Sequence, residues 1–216
     1  MSTVASYARM KADEVAALTR DPEQYWRLDE MPHDLSVSAD VGASERLEID
    51  KDWQVLSWLC SPLGRVEERQ QAGLVAMDYQ TLDNRNEPGV FQAALAKAVE
   101  KLGFRYLDPG ELSEDPILKA LQGRRAGDEG PSIADLGLAA AAFAPEEVRA
   151  LAAALNSLEE DWLRERFDVR EMETLGLPSD YEETELDEFY LPQLERLKAL
   201  YNRAAAAGQH VVVVIY

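Results

Sequence analysis
A chain of 216 residues with 46% apolar side chains has enough material for one sizeable core or two small ones, which excludes disorder for most of its length. Its 41 Asp and Glu stand against 22 Lys and Arg, a formal charge of −19 that repels nucleic-acid backbones and anionic lipid surfaces alike. Nucleic acid and membrane are therefore set aside as partners, leaving basic proteins, cationic ligands or plain solubility.

Met1 to Met10 contains no apolar stretch of signal-peptide length, and Val211 to Tyr216 is too short to span a bilayer. Val4 to Met10 reads as a strand leading into a helix over Ala12 to Thr19. In that helix Val15 and Leu18 share a face, and Asp13 and Glu14 suit the N-terminal end. Met31 to Ser44 is a loop of Pro, Asp, Ser and Gly. Next comes Leu47 to Trp53, in which Asp50 is suited to accept from the free N–H groups that open a helix lined by Trp53, Leu56, Leu59 and Cys60. With one cysteine no internal disulfide can form, so the chain is assigned to a reducing compartment, the cytoplasm, with Cys60 as a small core residue.

Ser61 to Glu114 reads as an elaboration within a single domain spanning 1–216, because some fifty residues bury a core poorly alone. Inside it, Leu74 to Tyr79 reads as a short strand, and Val90 to Leu102 repeats at helical spacing up to Gly103. Asp115-Pro116 opens a short helix that ends near Gly123, and Arg124 to Pro131 is a loop. Asp135 to Phe143 is an Ala-rich strand, followed by a helix from Pro145 through Val148, Leu151, Leu155 and Leu158.

The last helix is predicted from about Glu183 to Ala207, with Leu186, Phe189, Tyr190, Leu194, Leu197, Leu200 and Tyr201 on its inner face and Pro192 kinking or splitting it. Gly208 ends it, and the unbroken β-branched run from Val211 to Ile215 predicts a central strand covered on both faces. The fold class that follows is α/β of the α+β type, a mixed sheet with the C-terminal strand central and amphipathic helices packed on it.

Four stretches together resemble the YfbM-like family, a bacterial family of unknown function. They are Tyr7-Ala8-Arg9, Leu47 to Trp53, Arg166-Phe167-Asp168-Val169-Arg170-Glu171-Met172 with Pro178 downstream, and Tyr201 to Val214. The resemblance implies a compact α/β domain of bacterial origin and no established activity. Two departures stand out: Ser61 to Glu114 is longer than the family usually carries, and Gly137 to Phe143 is nearly all Ala where relatives are expected to have an Arg and a Pro.

Local structure accounts for most of the matching residues. At a helix start, Asp168 is an N-cap, Glu171 completes a capping box and Phe167 packs on Met172 as a staple. His33 and His210 have no metal spacing to a Cys or to each other, and there is no phosphate loop, nucleophile elbow or cofactor motif. Catalysis and cofactors thus have no positive support in the sequence.

Charge is uneven. Between Glu159 and Glu188 there are 13 Asp or Glu and 3 Arg, a net of −10 in thirty residues. The leading reading is a non-enzymatic binding protein that docks a basic protein, such as a toxin or a nucleic-acid-binding protein, through Glu182, Glu183 and Glu185. Trp162, Tyr181 and Tyr190 would be the aromatic anchors. The alternative is an enzyme with a cleft near Asp50, Lys51, Trp53 and His210, a carboxylate and an imidazole serving as acid and base.

Overall fold
The computed structural model describes residues 4–21, 28, 31–32, 43–75, 107, 109–123 and 139–215. Four strands, β1 (Ala5–Met10), β2 (Glu45–Ile49), β3 (Ala139–Phe143) and β4 (His210–Ile215), form one sheet in the order β2-β1-β4-β3. The C-terminal strand lies inside the sheet, as its β-branched run predicts. Where a mixed sheet was expected, all described pairings are antiparallel.

The connections explain that difference. A parallel neighbour needs a crossover that carries the chain back to the end of the sheet where its first strand began. Here Arg9 faces Glu45, and Phe143 faces Val211, so each excursion leaves and re-enters the sheet at the same end.

Strand alternation sorts the side chains between two cores. Tyr7, Leu47, Ile49, Phe143, Val211 and Val213 point into the larger one, while Ala8, Met10, Val212 and Val214 meet Val15 and Leu18 of α1 (Ala12–Arg20) on the opposite face. Both faces of β4 are therefore covered, and this is why no polar residue interrupts it.

The larger face carries α2 (Asp52–Cys60), α3 (Pro62–Val75), α4 (Pro109–Glu114), α5 (Pro116–Gln122), α6 (Pro145–Asn156), α7 (Glu160–Arg166), α8 (Val169–Leu175) and α9 (Leu191–Ala207). Of these, α5, α6 and α9 lie against the sheet, and α2 packs on α5. Tyr7 and Tyr201 donate their hydroxyls to the carbonyls of Leu121 and Ala120, at 2.6 and 2.9 Å, which pins β1 and α9 to the end of α5.

Local signals placed several boundaries correctly. The Asp115 carboxylate accepts from the Ile117 and Leu118 N–H groups, and Gly123 closes α5 in the left-handed region at φ +67°. Pro145 opens α6, where Glu147 accepts from the Ala144 N–H at 2.8 Å. The helix after β2 opens one residue later than expected, with Lys51 at its cap position and the Trp53 N–H bonded to the Asp50 carbonyl.

Other expectations fail. Leu74 and Val75 belong to α3 rather than to a strand, since a short apolar run does not distinguish the two; the rest of that stretch and the Val90 to Leu102 helix lie outside the described residues. The last helix divides as its proline suggests, but the leading piece, Leu186–Tyr190, is a π-helical turn. Cys60 is a free, buried core thiol, pushed up to about 12 by burial. Among the described residues, no helix is long and apolar enough to cross a membrane.

Candidate functional site
Of the sequence-predicted acidic residues, Glu185 meets the Asp50 segment in one cleft. On one side β2 ends at Ile49 and the chain turns through Asp50 and Lys51 into α2. On the other, Gly176 closes α8 at φ +69° and the chain runs through Pro178 to Glu185 into the π-helical turn. Between them lies a cleft of about 380 Å³ lined by Asp50, Lys51, Asp52, Pro178, Ser179, Asp180, Glu185 and Phe189.

Glu185 organises the far wall. Its buried carboxylate accepts from the Ser179 hydroxyl at 2.5 Å, the Asp180 N–H at 3.0 Å and the Glu182 N–H at 3.1 Å. Those bonds close a turn in which Tyr181 sits at φ +61°, a conformation that costs a non-glycine residue about 1–2 kcal/mol. The Tyr181 N–H bonded to the Ser179 oxygen and the Tyr181 hydroxyl bonded to the Leu177 carbonyl offset that cost.

The wider π turn then decides which aromatic faces out. With i to i+5 bonding, Leu186 and Tyr190 align inward, and Phe189, which α-helical spacing would bury beside them, swings to 52% exposure. Both departures from regular backbone, the left-handed Tyr181 and the π turn, flank the same cleft. Such features recur at functional sites because ordinary folding does not favour them.

The cleft is electrostatically crowded. Burial first, and then the charges of Asp50 and Glu185, raise the pKa of the half-buried Asp52 carboxyl against the opposing pull of Lys51. Tyr190 is pushed upward mainly by burial, with Glu185, Asp52 and Asp180 adding to the shift and a Ser179 hydrogen bond opposing it. A cation entering here would relieve that repulsion.

Several sequence-predicted residues have other duties. Glu182 and Glu183 are exposed beside the cleft, but Glu185 is buried within its wall. Trp53 is half-buried against the main core, as a packing residue. Trp162 packs there too and carries the Arg166 guanidinium 4.4 Å above its ring; Tyr181 is half-buried and Tyr190 fully so, leaving none of the three as an exposed anchor.

His210 does not join the cleft. It pairs with Met10, whereas Ile49 pairs with Ala5, five residues away along β1. That separation is roughly 17 Å at the rise of an antiparallel strand, so the acid–base cleft built on Asp50 and His210 is not assembled. Among the described residues, no group of three or more His, Cys, Asp and Glu is placed to hold a metal ion.

The second matching segment is a clamp between helices. Asp168 caps α8 as expected, accepting from the Arg170 and Glu171 N–H groups at 3.0 and 3.1 Å. Glu171, however, does not turn back to complete a capping box. Its carboxylate accepts from Arg65 and, at 2.6 Å, from Arg69, both on α3. Arg166 reaches the carbonyls of Leu59, Trp58 and Ser61 at the end of α2. The clamp supplies donors to carbonyls that a helix end otherwise leaves to water.

Asp52, Ser179, Asp180 and Phe189 were not singled out from the sequence. Asp52 lay in view in the run Asp50-Lys51-Asp52, but Phe189 required knowledge of the π turn.

The comparisons agree with this architecture and name no activity. No curated protein matches the chain. The crystal structure of a protein of unknown function, YfbM from Escherichia coli, is similar in fold, with a TM-score of 0.55 over 99% of each chain at 17% identity. The sequence model described as domain of unknown function DUF1877 matches residues 1–103 and 106–214, so the chain belongs to the YfbM-like DUF1877 family.

Proposed function
We propose that the chain is a non-enzymatic bacterial binding protein whose acidic cleft takes a lysine or arginine side chain of a basic protein partner, as a toxin-neutralising or shielding protein would. The carrying observation is the position of Phe189. A single exposed apolar residue is ordinary on a protein surface. This one lies at a cleft where burial and then the charges of Asp50 and Glu185 raise the proton affinity of Asp52, so an apolar contact and a cation site are offered side by side. Interfaces concentrate their energy in such arrangements, an anchor seated next to a charge that becomes desolvated on binding.

The test is capture from native bacterial lysate on the immobilised chain, eluted along a salt gradient, with Phe189→Ala and the double change Asp50→Asn, Asp52→Asn run in parallel. One basic protein should bind stoichiometrically and leave at raised salt, because screening weakens exposed charge contacts. Phe189→Ala should weaken it by about 2 kcal/mol, the level of an interface hot spot. Capture that neither variant alters would show that the cleft is not the contact.

A further inference from the structure
Four arginines gather where α3 meets α8, in a chain with almost twice as many acidic as basic residues. Arg65 lies over the Trp58 ring at 4.6 Å and Arg166 over the Trp162 ring at 4.4 Å, so both guanidiniums are held by stacking. One carboxylate, Glu171, serves Arg65 and Arg69 together, and Asp168 commits one oxygen to the N–H groups that open α8. Four guanidiniums thus crowd together, two of them sharing a single carboxylate. The crowding is felt at Arg166, where burial and then the charge of Arg65 lower its proton affinity.

A cleft of about 570 Å³ opens in front of this cluster. Arg69 and Arg170 line it. Among the described residues, Arg69 bonds through Nε alone and the Arg170 guanidinium has no partner. Asp168 and Glu171 also line the cleft, and Ala72 and Leu175 contribute an apolar patch.

We propose that this cleft binds a small phosphorylated molecule, with its phosphate between Arg69 and Arg170 and its apolar portion against Ala72 and Leu175. The guanidinium fork matches phosphate oxygens in pairs, and a phosphate monoester, with close to two negative charges at neutral pH, can engage both guanidiniums. The volume lies within the range of roughly 300–1,000 Å³ usual for small-ligand sites. Net charge does not forbid such a ligand. At physiological salt, fields fade over about 8 Å, so a small phosphate in the cleft senses the arginines, whereas a long nucleic-acid backbone would meet the whole acidic surface.

Thermal unfolding of the whole chain in inorganic phosphate, with ionic strength held constant by chloride, tests the site. The wild-type Tm should climb with the logarithm of phosphate concentration once the site is filled, as binding to the folded state alone requires. In Arg170→Gln, which breaks no bond among the described residues, an equal rise in Tm should need roughly tenfold more phosphate or beyond, with the phosphate-free Tm unchanged. Phenyl phosphate should give an equal rise at lower concentration than inorganic phosphate, through the apolar patch; equal concentrations would overturn the apolar half of the proposal. No rise, or a rise linear in phosphate concentration and equal in both proteins, would leave phosphate at most an excluded salt and overturn the site itself.

Discussion
Glu45 is fully buried and shared by two guanidiniums, Arg9 at 2.9 Å and Arg203 at 2.7 Å, while Arg9 also donates to the Gln209 side chain. It starts β2 and so ties the edge of the sheet to the end of α9. Burying these charges is costly, and the pairing offsets that cost only while every member is present. Replacing Glu45 by Ala removes the carboxylate that the fully buried Arg9 shares with Arg203. The expected loss is about 3–5 kcal/mol of unfolding free energy, measured by urea denaturation with an unchanged m-value. A loss under about 1 kcal/mol would mean that water reaches Arg9 when the carboxylate is gone. No sequence pattern signalled this network, because its members lie far apart along the chain and no local rule pairs them. Asp115 and Asp168 were legible for the opposite reason, since a cap acts on N–H groups two and three residues away.

At the scale of elements, α2 and α3 approach so closely that Gly64 has no room for a side chain. A Cβ there would meet the Ser57 carbonyl oxygen at 2.3 Å and the Leu118 side chain at 3.0 Å. Gly64→Ala therefore sets two effects against each other. Alanine favours the helix interior by about 1 kcal/mol. A contact of 2.3 Å with backbone cannot be relieved by a rotamer change, and forcing neighbouring elements apart costs typically 1–3 kcal/mol. The clash should win, lowering Tm, whereas Gly176→Ala meets no neighbour and is strained only through its φ of +69°. A Gly64→Ala protein as stable as the parent would show that the α2–α3 packing yields easily. Neither α3 nor β2 was read from the sequence. In β2 the letters Glu45, Arg46 and Glu48 masked a strand whose first three residues are buried, and the π turn hid the outward direction of Phe189 because periodicity assumes 3.6 residues per turn.

For the molecule as a whole, the antiparallel sheet follows from a topology that composition does not encode, whereas the central place of β4 was legible in its unbroken apolar run. Charge was legible in total but not in layout. The −19 is gathered partly in 159–188, yet the arginine cluster and the buried Glu45 network sit within the same fold. This layout predicts how stability responds to salt. A folded chain of this length has a radius of gyration of about 17 Å, against about 50 Å unfolded. At 0.01 M salt the screening length is about 30 Å, so in the folded state nearly every carboxylate feels the others; at 0.15 M it is about 8 Å, and only neighbours count. Self-repulsion therefore falls more in the folded state than in the expanded one as salt is added. Exposed pairs such as Arg164 with Glu160 and Asp187 weaken meanwhile, but pairs of that kind contribute little, and buried Arg9–Glu45 is hardly screened. Tm should rise between 0.01 and 0.15 M sodium chloride and then level off. A Tm that falls over that interval would mean that exposed ion pairs outweigh the repulsion of the acidic excess.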